Sequence, residues 1–521
     1  MTTISAGSIR SLITYGLCTA FAVTVGYTLT NVGLDPTYSN LFALLLLGAL
    51  VLSPIFIKWH YPIMIFSLCS PIWVFFLKGS PPIWQLMVVI SLGLAIVERA
   101  VQRKNQWLSA PSVTLSLVFT ALMMVITAKL TGGFGFHTLG NQVGGGKKYL
   151  ALTLGILTYF ALISRKIPEN RRFFYLGLYI LSGLPSFIGD IGPVLPSPLN
   201  YINVLVPPTI SSGQQFELGT TRLGSMGATA GVITTFLLAR YGLKNIFKGK
   251  HAWWRVPLFL FSISCCMLGG FRNVIFTFTL ISILMFFMEG LHRTWLLPFF
   301  LMIGLCGACL IVPLSRHLPY TFQRSLSFLP LDIDPDAKAD AEGSSEWRFR
   351  MWHDLWPQVP QYLLRGKGYA LTLEDFEMLE GGSLANGAEA QMDASKDALA
   401  VSGDYHSGPL STLIPFGLWG GITFLWFMLA GLRVLYRNFK YGDPKLRVAN
   451  TFFLAQYIAH MALYFFIFGA YSDDLFEFAK TIGFSMALNG GVMGPQKARQ
   501  KNRAALPARP DPRLEPGFQP A

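Results

Sequence analysis

Charge is scarce in this chain. Of its 521 residues only 13% are Asp, Glu, Lys or Arg, while 52% are hydrophobic, against about 25% charged in an ordinary soluble domain. That shortage excludes water as the main solvent. Cysteine is scarce as well: the six present (Cys18, Cys69, Cys265, Cys266, Cys306 and Cys309) all fall inside apolar runs, where they read as small hydrophobes and imply no disulfide framework. Cys306 and Cys309 form a C-x-x-C within LMIGLCGACLIV, but no second pair or nearby histidine accompanies it, so packing is expected rather than zinc or redox work. Nucleotide-binding signatures are missing too, with neither a Walker A loop nor a Rossmann glycine fingerprint. ATP-driven transport by this chain alone is therefore not expected.

Long apolar runs are what the chain has in abundance. About 20 helical residues cross a ~30 Å hydrocarbon core, and runs of that order recur near 9–30, 38–57, 61–77, 82–98, 109–130, 149–164, 173–190, 223–240, 253–270, 272–288, 295–314, 409–436, 448–470 and 475–491. Backbone groups in lipid must be satisfied within their own segment, so stretches this long and apolar are expected to be helices. The fold class expected is an all-α polytopic membrane protein of about 12–14 spans. Three shorter runs (61–77, 82–98 and 475–491) also fit re-entrant hairpins. The N-terminal run is too long for a signal-peptide core and reads as an uncleaved first span.

The net charge of +14 raises the question of nucleic acid, and its distribution answers it. Residues 315–408 hold fifteen of the 27 acidic residues and eight of the 41 Lys and Arg, leaving 33 basic against 12 acidic residues elsewhere. That excess lies in short loops which, counted by parity, share one face: 99–104, 165–172, 240–255, 292–293, 433–447 and the tail from Lys497. By the positive-inside rule this face is cytoplasmic, and nucleic acid is not an expected partner. Four regions follow: a transmembrane bundle of about eleven helices over 1–314, a large periplasmic loop over 315–408, further transmembrane helices over 409–491, and a Pro-rich basic cytoplasmic tail over 492–521 expected to be disordered. Both termini are then expected to be cytoplasmic.

Within the loop, the acidic run DIDPDAKADAEGSS precedes EWRFRMWHDLWPQVPQYLL, whose Trp347, Trp352 and Trp356 suit an amphipathic helix at the membrane interface. The spacing of Asp332, Asp334 and Asp336 suggests the start of a calcium loop, but Pro335 and Ala337 replace its turn residues and Glu342 falls one place short of its final ligand. A solvated acidic turn is expected there, and no metal. Arginines are more informative. Positive-inside bias should deplete the far face of them, yet Arg222, Arg272, Arg316, Arg324, Arg348, Arg350 and Arg365 all lie on it. Singly, each suits a lipid headgroup; together they suit a diphosphate, whose oxygens an arginine fork matches. His406, in GDYHSGPLSTLIPFGLWGG at the mouth of a span, is a candidate general base, with His353 its rival in the amphipathic stretch.

The order of these residues resembles a known family. His406, Ser407, Leu410, Gly417, Leu418 and Gly420 resemble the H-N-x-x-L … G-L-x-G signature of the O-antigen ligase and surface-polysaccharide polymerase superfamily. Arg348 and Trp352 followed by PQYLLRGKGYAL resemble its R-x-x-x-W … P-x-x-G-x-G stretch, Gly270-Phe271-Arg272 its Ser-Arg-Gly, and TTRLGSMGATAG around Arg222 a further arginine motif. Ser407 stands where Asn is usual and Pro415 where Glu is common. The resemblance covers roughly residues 215–425. It implies an inverting, metal-independent and cofactor-free glycosyl transfer in the periplasm, from undecaprenyl diphosphate to an acceptor hydroxyl on another glycan or on a lipid A core sugar. Under it Arg222, Arg272 and Arg348 or Arg350 bind the diphosphate and His406 is the base. Asp404, Trp352 and Arg324 are supporting candidates. Membrane lipids and other polysaccharide assembly proteins are the further partners implied.

Two rival classes remain at this stage. A lipid-linked glycan flippase or polysaccharide transporter calls for charges near the bilayer midplane, repeats and broken helices, whereas Asp190 and the group Asp473, Asp474 and Glu477 lie near span ends. A scaffolding subunit needs no arginine and histidine constellation at all.

Overall fold

A computed structural model describes residues 57–77, 79–101, 107–132, 145–196, 199–209, 222–371, 403 and 405–495. The expected spans at 9–30 and, save residue 57, at 38–57 lie outside the described residues, as do the tail from 496 and Asp404. The described chain is helical, and its β-pairing is a single isolated bridge between Trp73 and Pro82. Among the described residues, seven helices are long and apolar enough to cross a membrane. The protein is an all-α polytopic membrane protein.

The elements in chain order are α1 (Ile83–Val101), α2 (Pro111–Thr131), α3 (Gly146–Ile163), α4 (Arg172–Leu181), α5 (Gly224–Phe247), α6 (Ala252–Cys265), α7 (Arg272–Met288), α8 (Leu296–Leu314), α9 (Tyr320–Ser325), α10 (Pro335–Leu355), α11 (Gly408–Tyr441), α12 (Arg447–Phe466) and α13 (Tyr471–Asn489). Helix α13 is the central post. All but four of its nineteen residues are buried: Thr481, Gly483, Ser485 and Asn489 face protein, and only a lipid-facing helix must be apolar all round. Gly155 of α3 lies against Phe476 and Gly483 of α13 against Leu162 and Tyr159, small residues that let the two backbones approach. Asn450 of α12 and Asn489 of α13 exchange side-chain hydrogen bonds of 3.0 and 2.8 Å, and Asn438 of α11 donates to Ser485 at 3.2 Å. These amides hold three helices together where apolar contact alone gives little preference over lipid. Helix α8 is the opposite case. Leu301 and Leu305 are each 67% exposed, and Cys306 and Cys309 are exposed with them, so this helix presents its sides to the bilayer and the C-x-x-C is a lipid-facing feature.

One expected span takes another form. The run 61–77 is helical only as far as residue 67 and then continues irregularly to Pro82, with Trp73 N donating to Leu205 O at 2.8 Å. The run 173–190 lies within the candidate span Glu169–Val194, built from α4 followed by short turns at Leu184–Phe187 and Ile188–Ile191. Gly183 lies against Val232 and the Cys69 carbonyl, so the helix breaks where no side chain fits.

Helix α11 is interrupted near its start, and the interruption is mended by the loop before it. Pro415 has no N–H and Gly417 takes φ 64°, ψ −165°, a backbone region open essentially to glycine alone. Broken helical hydrogen bonds are costly at membrane depth unless replaced. Here Lys367 N donates to Ile414 O at 2.8 Å, Gly368 N to Pro415 O at 2.9 Å, and Leu418 N to Leu363 O at 2.7 Å. The Gly366-Lys367-Gly368 turn is thus a backbone plug, with Gly366 and Gly368 at φ 76° and 70°. A Cβ at Gly417 would lie 2.6 Å from Leu363 O, whereas one at Gly304 of α8 would meet nothing. Gly417→Ala is therefore expected to lose at least about 1–3 kcal/mol, read as a lowered thermal midpoint in detergent, with Gly304→Ala unchanged. Equal midpoints for the two variants would refute the plug's structural role.

Candidate functional site

The site is organised by one face of α10. This helix starts in the acidic run expected to be a turn: Asp334 is its N-cap, accepting from Asp336 N at 2.8 Å, Pro335 is its first residue and Asp336 lies in its first turn. Cap, proline and acid all favour a helix start at this point. From there, residues 340, 344, 348 and 352 recur at helical spacing and share a side.

Each step along that side meets a different element. At Asp340 the partner is Arg324 of α9, whose Nε donates to Asp340 Oδ2 while its Nη1 reaches Gly270 O; the two ionic side chains are only 9% and 10% exposed. One turn on, Arg272 at the start of α7 donates through Nη2 to Ala341 O and Ser345 Oγ, both at 2.9 Å, and to Ser344 Oγ at 3.3 Å. Next come Trp347, whose ring meets His406 edge-on at 5.5 Å, and Arg348, whose guanidinium sits 5.8 Å over the Phe468 ring. Last, Trp352 Nε1 donates to Tyr405 O at 2.8 Å. Arg350, two residues from Arg348, falls on the exposed face of the helix, as do His353 and Trp356.

Arg222 enters from a second direction. Its Nε and Nη2 donate to Gly269 O at 3.1 and 3.0 Å, and its guanidinium lies 5.0 Å over the Phe271 ring. This is possible because α5 packs tightly on the turn before α7: Leu223 N donates to Leu268 O, and a Cβ on Gly227 would lie 3.2 Å from Gly269 N. The glycines of GSMGATAG are close-approach residues that bring Arg222 to Gly269.

His406 is half-buried and held in a strained backbone, at φ 48° without being glycine. Its ring stacks on Phe468 at 4.8 Å and 29°, so His406 and Arg348 share one aromatic ring between them. Tyr405 N donates to Ser411 Oγ at 3.2 Å, and Ser407 is the N-cap of α11. The histidine is held from both sides in sequence and contacted by two aromatic rings in space. Strain of this kind, costing about 1–3 kcal/mol, persists where surrounding structure imposes it and is characteristic of functional positions.

The electrostatics are lopsided. Arg222, Arg272, Arg324 and Arg348 act on one another, and Asp340 is the carboxylate that opposes them. Burial, and then Arg324, lowers Arg222 to about 10; burial, and then Arg272 and Arg324, lowers Arg348. Both remain charged at neutral pH. Arg348 Nε is buried and has no hydrogen-bond partner among the described residues. The positive ends of α5, α7 and α11 open on the same region and add to its field. An anion with several oxygens would relieve the repulsion and meet donors already fixed in place. Among the described residues no cluster of His, Cys, Asp or Glu is suited to a metal.

Of the residues singled out by sequence, Arg222, Arg272, Arg324, Arg348, Trp352 and His406 come together; Arg350 does not join them. Arg316 pairs with Asp332 on the surface, and Arg365 donates to Leu130 O at the end of α2. Sequence reading missed Asp340 and Phe468. Asp340 has a signal, lying one turn after Asp336 on the face that leads to Arg348. Phe468 has none, because its stacking with His406 joins positions 62 residues apart.

Fold and site together define a polytopic membrane protein with a polycationic mouth beside a positioned histidine. Residues 257–425 match the family described as O-antigen ligase, which bears out the resemblance to the O-antigen ligase and polymerase superfamily. No curated protein matches the chain significantly. The matched segment runs from α6 past the break in α11, so it contains Arg272, Arg324, Asp340, Arg348 and His406; Arg222 and Phe468 lie outside it.

Removing the acid of a buried ion pair strands its partner. Asp340→Asn is expected to cost about 3–5 kcal/mol, measured by denaturant or thermal unfolding, and the double change Arg324→Met with Asp340→Leu to cost less than that single change. A near-neutral Asp340→Asn would show that Arg324 does not depend on this carboxylate.

Proposed function

We propose that the protein is an inverting glycosyltransferase that moves a glycan from undecaprenyl diphosphate to an acceptor hydroxyl, on the periplasmic side of the inner membrane. The observation that supports this reading is the shared face of α10, which meets Arg324 and Arg272 at residues 340–345, carries Arg348, and meets His406 through Trp347. The O-antigen ligase match supports lipid-linked glycan chemistry of the ligase or polymerase kind.

The chemistry needs two things from the protein. The bond from the anomeric carbon to the diphosphate oxygen breaks, and charge builds on the departing undecaprenyl diphosphate; Arg222, Arg272, Arg324 and Arg348 stabilise that charge from fixed positions. The acceptor oxygen forms the new bond on the opposite side of the anomeric carbon, and its proton passes to neutral His406. Asp404, outside the described residues, is kept as the group that orients the imidazole. Trp352 acts by holding Tyr405 and hence the histidine. The sidedness follows from the basic loops, which place the opposite end of the bundle in the cytoplasm.

Charged groups do occur within a span, as a transporter would require. Lys480 is the tenth of nineteen residues in α13 and pairs with Glu477. His460 Nε2 lies 2.7 Å from Asp474 Oδ1, and Asp474 also accepts from Ala470 N. Each charge is matched inside the protein, which suits packing of the central helix.

Wild type and His406→Ala are to be expressed, at equal membrane levels, in hosts lacking their own O-antigen ligase or polymerase. Wild type is expected to restore mature surface glycan in one background, which names the branch. His406→Ala is expected to slow transfer by about 10²–10⁴-fold and to accumulate undecaprenyl-linked glycan on gels. A variant that transfers as fast as wild type would remove His406 from the chemistry.

A further inference from the structure

A second cationic feature lies at the other end of α5, away from Arg222. Helix α5 is broken at Gly242, where φ is 70° and ψ 166°, and Glu289 repairs the break by accepting from Leu243 N at 3.1 Å and Lys244 N at 2.7 Å. Beside this break opens a cavity of about 410 Å³ lined by Arg240, Lys248, Lys250, His251, Arg255 and Lys445, with no carboxylate in its lining. Five of these six are lysines or arginines.

Two of these side chains share one ring. Arg240 lies 4.0 Å over the Phe173 ring and 5.7 Å from Tyr241, while Arg255 lies 4.0 Å over the same Tyr241 ring. Arg255 donates through Nη1 to Asn245 O at 3.1 Å, and its Nε is buried with no hydrogen-bond partner among the described residues. The neighbouring carboxylates are committed elsewhere: Glu289 to the backbone of the break, and Asp443 to Arg172 at 2.8 Å and to Lys445 N at 3.0 Å. The cations gathered here, one of them with an orphaned donor, meet no carboxylate in the lining of the cavity.

We propose that this cavity binds a phosphate-bearing anion, filled in the membrane by the headgroup of an acidic phospholipid from the leaflet opposite the arginine and histidine mouth. The volume is within the range of small-molecule sites and is more than a lone inorganic phosphate fills. Its depth fits a headgroup: Trp253, next to the lining, is 77% exposed, as expected of an aromatic residue at the membrane interface. Basic pockets between helices at this level suit doubly or singly charged lipid phosphates. The site bridges the broken end of α5, the start of α6 and the 444–446 turn before α12, so its ligand ties three elements together and is expected to stabilise them by mass action. It involves none of the residues assigned to glycosyl transfer, and the two readings stand or fall separately.

The full chain is to be reconstituted in nanodiscs of phosphatidylcholine alone or with cardiolipin or phosphatidylglycerol, and thermal midpoints and lipid retained in native mass spectra compared. Wild type and Arg348→Gln are expected to retain acidic lipid and to melt higher with it. Arg240→Gln combined with Arg255→Gln is expected to bind it roughly thirtyfold more weakly. Should that double variant fail to fold, Lys248→Gln with Lys250→Gln, both exposed on the rim, carries the same comparison. Equal retention by wild type and cavity variants would overturn the proposal. Displacement of the lipid by millimolar sodium diphosphate, lost in the cavity variants, would overturn the lipid assignment in favour of a soluble phosphate compound.

Discussion

Four guanidiniums cannot be crowded at the mouth of a helical bundle unless something holds them there; helix α10 holds three, and the Gly269 carbonyl holds Arg222. Arg324 is fixed to Asp340, Arg272 to Ala341, Ser344 and Ser345, and Arg348 is carried by the helix itself. Burial first, and then mutual repulsion, lower Arg222 and Arg348. That cost is offset by a buried ion pair and by hydrogen bonds within the protein. His406 depends on the same helix, through Trp347 against its ring and Trp352 on the carbonyl before it.

The bilayer imposes a second constraint: a helix may break within it only if the released backbone groups find new partners. Both breaks that matter obey this. At Pro415 to Gly417 the partners are backbone groups of the 363–368 segment; at Gly242 they are the two oxygens of Glu289. One break lies next to the His406 end of the bundle and the other beside the basic cavity, so the irregular backbone lies at the two places where cationic side chains gather. Between them α13 runs unbroken. Its polar and charged residues are matched internally, and its small residues let α3 close against it.

Much of this was legible in the chain. Apolar run lengths fixed the helical class, basic loops separated the two faces, and unexpected arginines on the acid-rich side pointed to the residues that gather around α10. Other features misled for physical reasons. The DIDPDAKADAEGSS run looked like a solvated turn because its acids are dense, yet Asp334, Pro335 and Asp336 are a cap, a first-turn proline and a first-turn acid, and helix start signals are by nature acidic. The 61–77 run looked like a span because apolar residues covering an irregular segment read the same as those covering a helix. Residues 475–491, set apart as a shorter run, belong to a helix enclosed by protein, which need not be apolar all round.

By itself, then, the sequence determined that the chain is a bundle of membrane helices with a cationic and histidine-bearing end, since solvent compatibility is written residue by residue in composition and period. Only the tertiary structure decided which arginines share the site: Arg348 turns inward and Arg350 outward because α10 rests on Arg272 and Arg324. It alone paired Phe468 with His406 and Gly368 with Pro415, and set Arg240 and Arg255 on one tyrosine. Such pairings join distant positions through the packing of whole helices, and no local pattern in the chain encodes them.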